Sequence, residues 1–167
     1  VARPDDDYEP DPRRWQALIV VLVAGFMVLL DVSIVNVALP SIARGLGADD
    51  SDLQWVVSGY ALAFGLVLVA GGRIGDARGR RPTLMIGLAI FTLASAACGL
   101  ARSPVMLIIA RLVQGVGGGL VTPQNAGLIQ HLFRGAERGR AFGLFGAVVG
   151  VSTAIGPLLG GLLIQFG

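Results

Sequence analysis

Long runs of apolar residues, separated by short polar segments, dominate the chain from residue 15 onward. Five of these runs are long enough for the roughly 20 residues that a bilayer-spanning helix needs. Three of them contain no charged residue, which is rare for a buried helix of a soluble protein. The pattern therefore predicts five transmembrane helices, at about residues 15–39, 53–72, 82–101, 104–129 and 141–166.

The composition changes this picture little but excludes several classes of protein. Of the 167 residues, 54% are hydrophobic and only 14% are charged, whereas soluble domains carry about a quarter charged residues. A soluble domain of this length could not bury so much apolar surface. A soluble enzyme, a nucleic-acid binder and a disordered chain are therefore excluded.

Residues 1–14 differ from the rest of the chain, with three prolines and five acidic residues. Such a segment cannot form a packed core, so we expect a disordered tail. The odd number of apolar runs, with an abrupt end at Gly167, favours an incomplete polypeptide. A start at Val1 fits a processed, wrongly assigned or cut N-terminus.

The distribution of arginine predicts an orientation, because the chain contains no lysine. Ten arginines lie in three segments: the tail, the segment after the second run and the segment after the fourth. Only Arg44 and Arg102 lie on the opposite side. Since positively charged segments stay in the cytoplasm, we expect a multi-pass protein of the cell membrane whose N-terminus is cytoplasmic.

Two charged residues, Asp31 and Arg111, fall inside apolar runs. A charge within the bilayer is costly unless it faces a cavity or a partner. At 1.5 Å per residue, Asp31 lies about 8 Å and Arg111 about 10 Å below the same membrane face. We therefore expect both to face one central cavity, close enough to influence each other.

A proton-coupling role is the first interpretation of Asp31 with Arg111. Burial favours a neutral carboxyl group and a nearby arginine favours a charged one, so a balanced carboxyl can exchange a proton. A static ion pair, or an aspartate bonded to neighbouring hydroxyls, is the alternative.

Polar side chains on the first and fourth runs are candidates for the cavity wall. Hydrogen bonds between helices, with no transport role, are an equal alternative. The candidates are Asn36, Gln114, Gln124 and Asn125. Cys98 and His131 are each the single residue of their type, so we expect no metal site.

Small residues four apart predict close helix packing in the fourth and fifth runs. The pairs are Gly115 with Gly119, Gly146 with Gly150, and Gly156 with Gly160.

Four motifs carry a family resemblance, each in a different part of the chain. Residues 30–40 surround Asp31, residues 72–81 include the end of the second run, and residues 107–119 surround Arg111. The fourth motif comprises Gly143, Ser152, Gly156, Pro157, Gly160 and Gly161. In these residues the chain resembles the N-terminal part of a major facilitator superfamily transporter, in the drug:proton antiporter branch with fourteen helices.

The resemblance implies a fold and residue roles. The fold would be an all-α membrane protein, with five transmembrane helices of a six-helix N-terminal half-bundle. The second motif would form a cytoplasmic gate of Gly72, Asp76, Gly79, Arg80 and Arg81. The fourth would be the antiporter motif, with Ser152 in place of a usual glycine.

The implied function is proton-coupled efflux of drugs or other small amphipathic molecules. The proton gradient would supply the energy, without a cofactor. The partners would be the substrate, protons, the bilayer and the missing C-terminal half of the same transporter, and no nucleic acid. Export of one endogenous metabolite, or a truncated fragment without transport, are the alternatives, and we expect no enzymatic activity.

Overall fold

The computed structural model of the chain describes residues 11–166, apart from the side chains of residues 159, 160 and 162–166. Within this range the chain forms helices and no strand. The helices are α1 (Arg14–Leu46), α2 (Asp50–Arg78), α3 (Arg80–Gly99), α4 (Pro104–Leu132) and α5 (Gly135–Phe166). Each is long and apolar enough to cross a membrane. The expected all-α membrane fold is confirmed.

The helices extend beyond the apolar runs that predicted them. The first was expected to end at residue 39, before Pro40, but α1 continues to Leu46. A proline removes one backbone hydrogen bond, which a membrane helix tolerates when its neighbours compensate. Gly47, with φ of 63°, ends α1 in the left-handed conformation that glycine adopts most easily.

The start of α2 is set by acidic residues that the hydropathy pattern assigned to a loop. Asp49 accepts a hydrogen bond from the backbone N–H of Asp52 at 2.8 Å, and Asp52 accepts one from Asp49 at 3.3 Å. This reciprocal capping pairs two backbone donors at the helix start. The helix therefore begins at Asp50, three residues before the predicted run.

The second motif lies on helix ends. The predicted helices left residues 73–81 outside any helix, and this prediction is wrong. Helix α2 continues to Arg78, and α3 begins at Arg80. Gly79 alone separates them, with φ of 100°, a value that residues with a Cβ rarely adopt. The polar residues here mark the end of the apolar run, not the end of α2.

Residues 1–10, most of the segment expected to be a disordered tail, lie outside the described residues. Arg14, the last residue of that segment, instead begins α1. Its side chain has a partner on α5, as described below.

Helix α4 occupies the centre of the bundle, packed mainly against α2 and α3 and also against α1. Glycine allows this close approach, as predicted for Gly115 and Gly119. A Cβ added at Gly115 would lie 2.5 Å from the carbonyl oxygen of Tyr60, and one at Gly119 2.7 Å from that of Phe64. Both contacts are with the backbone of α2, so a side chain larger than hydrogen does not fit.

Helix α5 packs mainly against α1. The predicted packing role of Gly146 and Gly150 is not found among the described residues, since a Cβ at either would meet nothing within 4 Å. Gly156 does lie in contact, with the side chain of Ser33 on α1. Of the α5 glycines whose surroundings the structure describes, Gly156 alone packs against α1.

Candidate functional site

Asp31 and Arg111 form an ion pair between α1 and α4, with 2.5 Å between Oδ2 and Nη1. The arginine side chain is 3% exposed and the aspartate side chain 15%. The structure thus brings together the two charges that the depth calculation placed at one level. Pairing lowers the cost of burying each charge, and breaking such a buried pair is strongly destabilising.

Gln114 completes a network around this pair. Its Nε2 donates to Asp31 Oδ1 at 2.7 Å, and its Oε1 accepts from Arg111 Nη1 at 2.7 Å. The thiol of Cys98, on α3, contacts the same Oε1 at 3.5 Å. Both oxygens of Asp31 therefore have a donor, and the network joins α1, α3 and α4.

Arg111 is also held by α2. Its Nε donates to the carbonyl oxygen of Val56 at 3.3 Å, and its guanidinium carbon lies 4.1 Å from the ring centroid of Tyr60. A cation over an aromatic face is attracted by the ring electrons. The orientation of the guanidinium is thus fixed by four partners on three helices.

A cavity of about 380 Å³ opens between α1, α2, α4 and α5. Its size is within the range of small-molecule sites, and most of its lining is apolar, as such sites usually are. The polar lining residues are Asn36, Tyr60, Arg111, Thr122 and Asn125. Asn36 and Asn125 therefore lie on the cavity wall where the sequence suggested them.

The other two amide candidates, Gln114 and Gln124, do not line this cavity. Gln124 is fully buried, and its Nε2 donates to the carbonyl oxygen of Gly71 at 2.7 Å. Its side chain also lies against Gly75. Because α4 is surrounded by other helices, polar side chains on its different faces contact different neighbours. Gln114 and Gln124 lie on faces that pack against other helices, not on the face that lines the cavity.

The residues of the second motif join α2 and α3 to α4. Asp76 and Arg80 form an ion pair of 2.5 Å, and Arg80 Nη1 lies 3.5 Å from the carbonyl oxygen of Pro123. The guanidinium of Arg80 packs directly on Gly127, where a Cβ would occupy its place. Gly72 lies opposite Pro123, and Arg81 is exposed.

The residues of the fourth motif, which lie on α5, do not form one surface. Ser152 is buried, and its hydroxyl donates to the carbonyl oxygen of Val148 at 2.7 Å. Gly143 and Gly161 have open space where a Cβ would project, and Pro157 is exposed within α5. Gly160 also lies in α5. Only Ser152 and Gly156 of this motif are buried among the described side chains.

Arg14 and Glu137 form an ion pair that the sequence interpretation missed. Nη2 lies 3.1 Å from Oε1 and Nε lies 3.2 Å from Oε2, so the contact is bidentate. Next to it, the rings of Trp15 and Phe133 meet edge to face with 5.0 Å between centroids. The sequence does show opposite charges next to the first and fifth apolar runs. It does not show that α1 packs beside α5, and the ion pair depends on that packing.

Comparison with known proteins identifies relatives among transporters. Residues 21–167 match the family model described as the Major Facilitator Superfamily. The puromycin resistance protein of Streptomyces alboniger is 48% identical over 94% of this chain and 31% of its own length. The tetracenomycin C resistance and export protein of Streptomyces glaucescens is 41% identical over 92% of this chain and 28% of its own length.

A solved structure supports the fold. It is a bacterial homolog of the human lysosomal transporter Spinster, in an inward-facing and unoccupied conformation. The two share a TM-score of 0.81 at 22% identity, over 93% of this chain and 33% of that one. The chain thus spans about a third of the length of the proteins that it matches.

Proposed function

The chain belongs to the Major Facilitator Superfamily, and on this premise we propose that it is part of a proton-coupled exporter of small amphipathic molecules. Two relatives are named for resistance to, or export of, an antibiotic. Because the chain spans only about three-tenths of their length, transport would require further segments of the same protein. These segments would supply the other wall of the substrate pathway. No cofactor is needed, because the proton gradient would supply the energy.

The network of Asp31, Arg111 and Gln114 is the observation that carries this proposal. It lies within apolar helices, and Arg111 also lines the cavity. Proton binding would neutralise Asp31 and remove its attraction for Arg111. Arg111 contacts both Asp31 and the cavity. Substrate binding in the cavity and proton binding at Asp31 would therefore influence each other through the Arg111 guanidinium.

The orientation that we propose has the N-terminus in the cytoplasm of a cell, with the chain spanning its membrane. In this orientation Asp76, Arg80 and the end of α4 would form part of the cytoplasmic gate. Their contacts include exposed charges, since the Asp76 side chain is 63% exposed. Exposed ion pairs are weak, so a gate built on them can open at low cost.

Replacement of Asp31 tests the proton-coupling proposal. We expect Asp31→Asn, introduced into the complete gene product, to abolish pH-driven uptake of puromycin into everted membrane vesicles. Asp31→Glu, which keeps a titratable carboxyl group, should retain part of the activity. The ratio of uptake with and without an imposed proton gradient is the measurement.

Asp50→Asn is the matched control, because Asp50 is exposed at the start of α2 and distant in sequence from the network. It should leave the ratio unchanged. Undiminished coupling in Asp31→Asn would contradict the proposed role of Asp31.

Export of one endogenous compound is the second candidate function. The relative from Streptomyces glaucescens is named for export of a single antibiotic, tetracenomycin C. A panel of chemically unrelated dyes and antibiotics separates the two candidates. Resistance to several of them favours a multidrug exporter. Resistance to compounds of a single chemical group favours the single-compound exporter.

A further inference from the structure

The cavity wall contains a deeply buried amide that lacks a protein partner for its oxygen. Asn125 is 1% exposed, and its Oδ1 has no hydrogen-bond partner among the described residues. Other polar residues of the wall are paired within their own helices: Thr122 donates to Gly118 and Asn36 to Val32. Nearly all buried polar groups in proteins are hydrogen-bonded, and an unpaired one is costly. A molecule in the cavity that donates a hydrogen bond to Asn125 would offset this cost.

The Tyr60 hydroxyl of the same wall is also unpaired. It points toward the backbone of α4, where a Cβ on Gly118 would lie 2.9 Å from the hydroxyl oxygen. Asn125 is therefore the stronger candidate for contact with a molecule in the cavity.

Phe145 of α5 lies beside the Asn125 amide. A Cβ added at Gly25 of α1 would lie 2.8 Å from Phe145 Cε2 and 3.4 Å from Asn125 Nδ2. The ring edge and the amide thus both pack over this glycine. Phe145 is partly exposed and lines the cavity together with Asn125.

The charge of the cavity restricts the molecules that it would bind. Among the described residues, Arg111 is the single charged residue in the lining, and Asp31 neutralises it. An anion would compete with Asp31, and a cation would meet no unpaired carboxylate. Apolar side chains provide most of the remaining wall, including Val32, Phe64 and Phe145.

We propose that Asn125 is a specificity-determining residue that binds the hydroxyl group of an uncharged aromatic substrate, whose ring packs against Phe145. The Asn125 oxygen would accept the hydrogen bond once the Phe145 ring and the amide group itself have rotated. Aromatic rings favour this position because they pack well edge to face or offset against phenylalanine. This inference rests on the proposed transport function, but it concerns recognition and not proton coupling.

A pair of probes that differ only in a hydrogen-bond donor tests the proposal. The probes are 2-(hydroxymethyl)anthraquinone and 2-(methoxymethyl)anthraquinone, both uncharged, with binding measured on the purified complete gene product in lipid nanodiscs. We expect the unmodified protein to prefer the hydroxymethyl compound about fivefold, as one hydrogen bond of about 1 kcal/mol provides. Asn125→Leu should remove this preference.

Two further variants separate loss of the hydrogen bond from loss of the fold. Asn125→Ser retains an oxygen acceptor and should keep part of the preference. Phe145→Leu should weaken binding of both probes equally, because it removes ring packing and leaves the amide. Ser58→Ala, which removes an exposed hydroxyl bonded within α2, is the control and should leave binding of both probes unchanged.

An equal preference in Asn125→Leu and the unmodified protein would overturn the inference, as would an unmodified protein that does not distinguish or does not bind the probes. These results would leave the transport proposal intact if pH-driven puromycin uptake persists. Conversely, loss of the preference in Asn125→Leu without any pH-driven uptake would support the recognition site and contradict proton coupling.

Discussion

Asp31 and Gln114 share a hydrogen bond of 2.7 Å, in which the amide nitrogen on α4 donates to the carboxylate on α1. An ionised carboxylate only accepts hydrogen bonds, so this arrangement suits the deprotonated form. A proton on this oxygen would face the amide N–H₂ of Gln114. Turning the amide around would bring its N–H₂ against the donors of Arg111. Protonation of Asp31 would therefore weaken the network on both sides and loosen α1 from α4.

Gln114→Glu should lower the rate of proton-coupled transport. The substitution replaces the amide N–H donor of Asp31 with a second carboxylate, so two like charges would lie together between α1 and α4. Because Asp31 loses this donor and Arg111 would face both carboxylates, we expect the network to loosen and uptake to fall. The measurement is the rate of pH-driven uptake into vesicles at a fixed proton gradient.

Gln130→Glu makes the same chemical change at an exposed position of α4. Its rate of pH-driven uptake should match that of the unmodified protein. An undiminished rate in Gln114→Glu would contradict the proposed part of Gln114 in the network.

Gly115→Ala should destabilise the helix bundle. The new Cβ would lie 2.5 Å from the carbonyl oxygen of Tyr60, and backbone cannot move aside as a flexible side chain can. Overpacking of this kind costs about 1–3 kcal/mol. Thermal unfolding in detergent, followed by circular dichroism, measures the loss.

Gly45→Ala provides the matched control for Gly115→Ala. Gly45 also lies within a helix, but a Cβ there meets nothing within 4 Å. Alanine favours helix more than glycine does, so stability should stay equal or rise. Equal losses in the two variants would show that packing against α2 is not the cause.

The proximity of Asp31 and Arg111 could be derived from the sequence because depth in a membrane follows from position along a helix. The two lie in the apolar runs, which cross the bilayer in opposite directions. Counting 1.5 Å per residue from each end gives similar depths. The high cost of an unpaired charge in lipid then favours contact between them.

The orientation of α4 about its own axis could not be derived in the same way. Apolar residues and glycines occur on all of its sides, so the sequence does not indicate which side faces the cavity. Gln114 was therefore grouped with Asn125, although it faces Asp31 and Cys98. Helix ends were missed for a related reason, because hydropathy detects the bilayer boundary and not the last hydrogen-bonded turn, as Arg78 illustrates.

Gly127→Ala should lower stability only while Arg80 is present. The Arg80 guanidinium occupies the space that the new methyl group needs, so the arginine would have to leave Gly127 and the carbonyl of Pro123. In an Arg80→Ala background this conflict is absent, and the same substitution should be neutral or stabilising. Melting temperatures of the two single variants and the double variant measure the coupling. Equal effects of Gly127→Ala in both backgrounds would contradict this contact.

Exchange of the charges of Arg14 and Glu137 should separate their ion pair from other contributions at the ends of α1 and α5. Arg14→Glu places two carboxylates together and should destabilise the bundle, whereas the double variant Arg14→Glu, Glu137→Arg should recover most of the loss. Since the Glu137 side chain is 38% exposed, the coupling should amount to only about 0.5–1 kcal/mol. It should also decrease as salt is added, because exposed charges are screened. A double-mutant cycle of melting temperatures at low and high salt gives the coupling, and a value of zero at low salt would mean that the pair does not hold the two helices together.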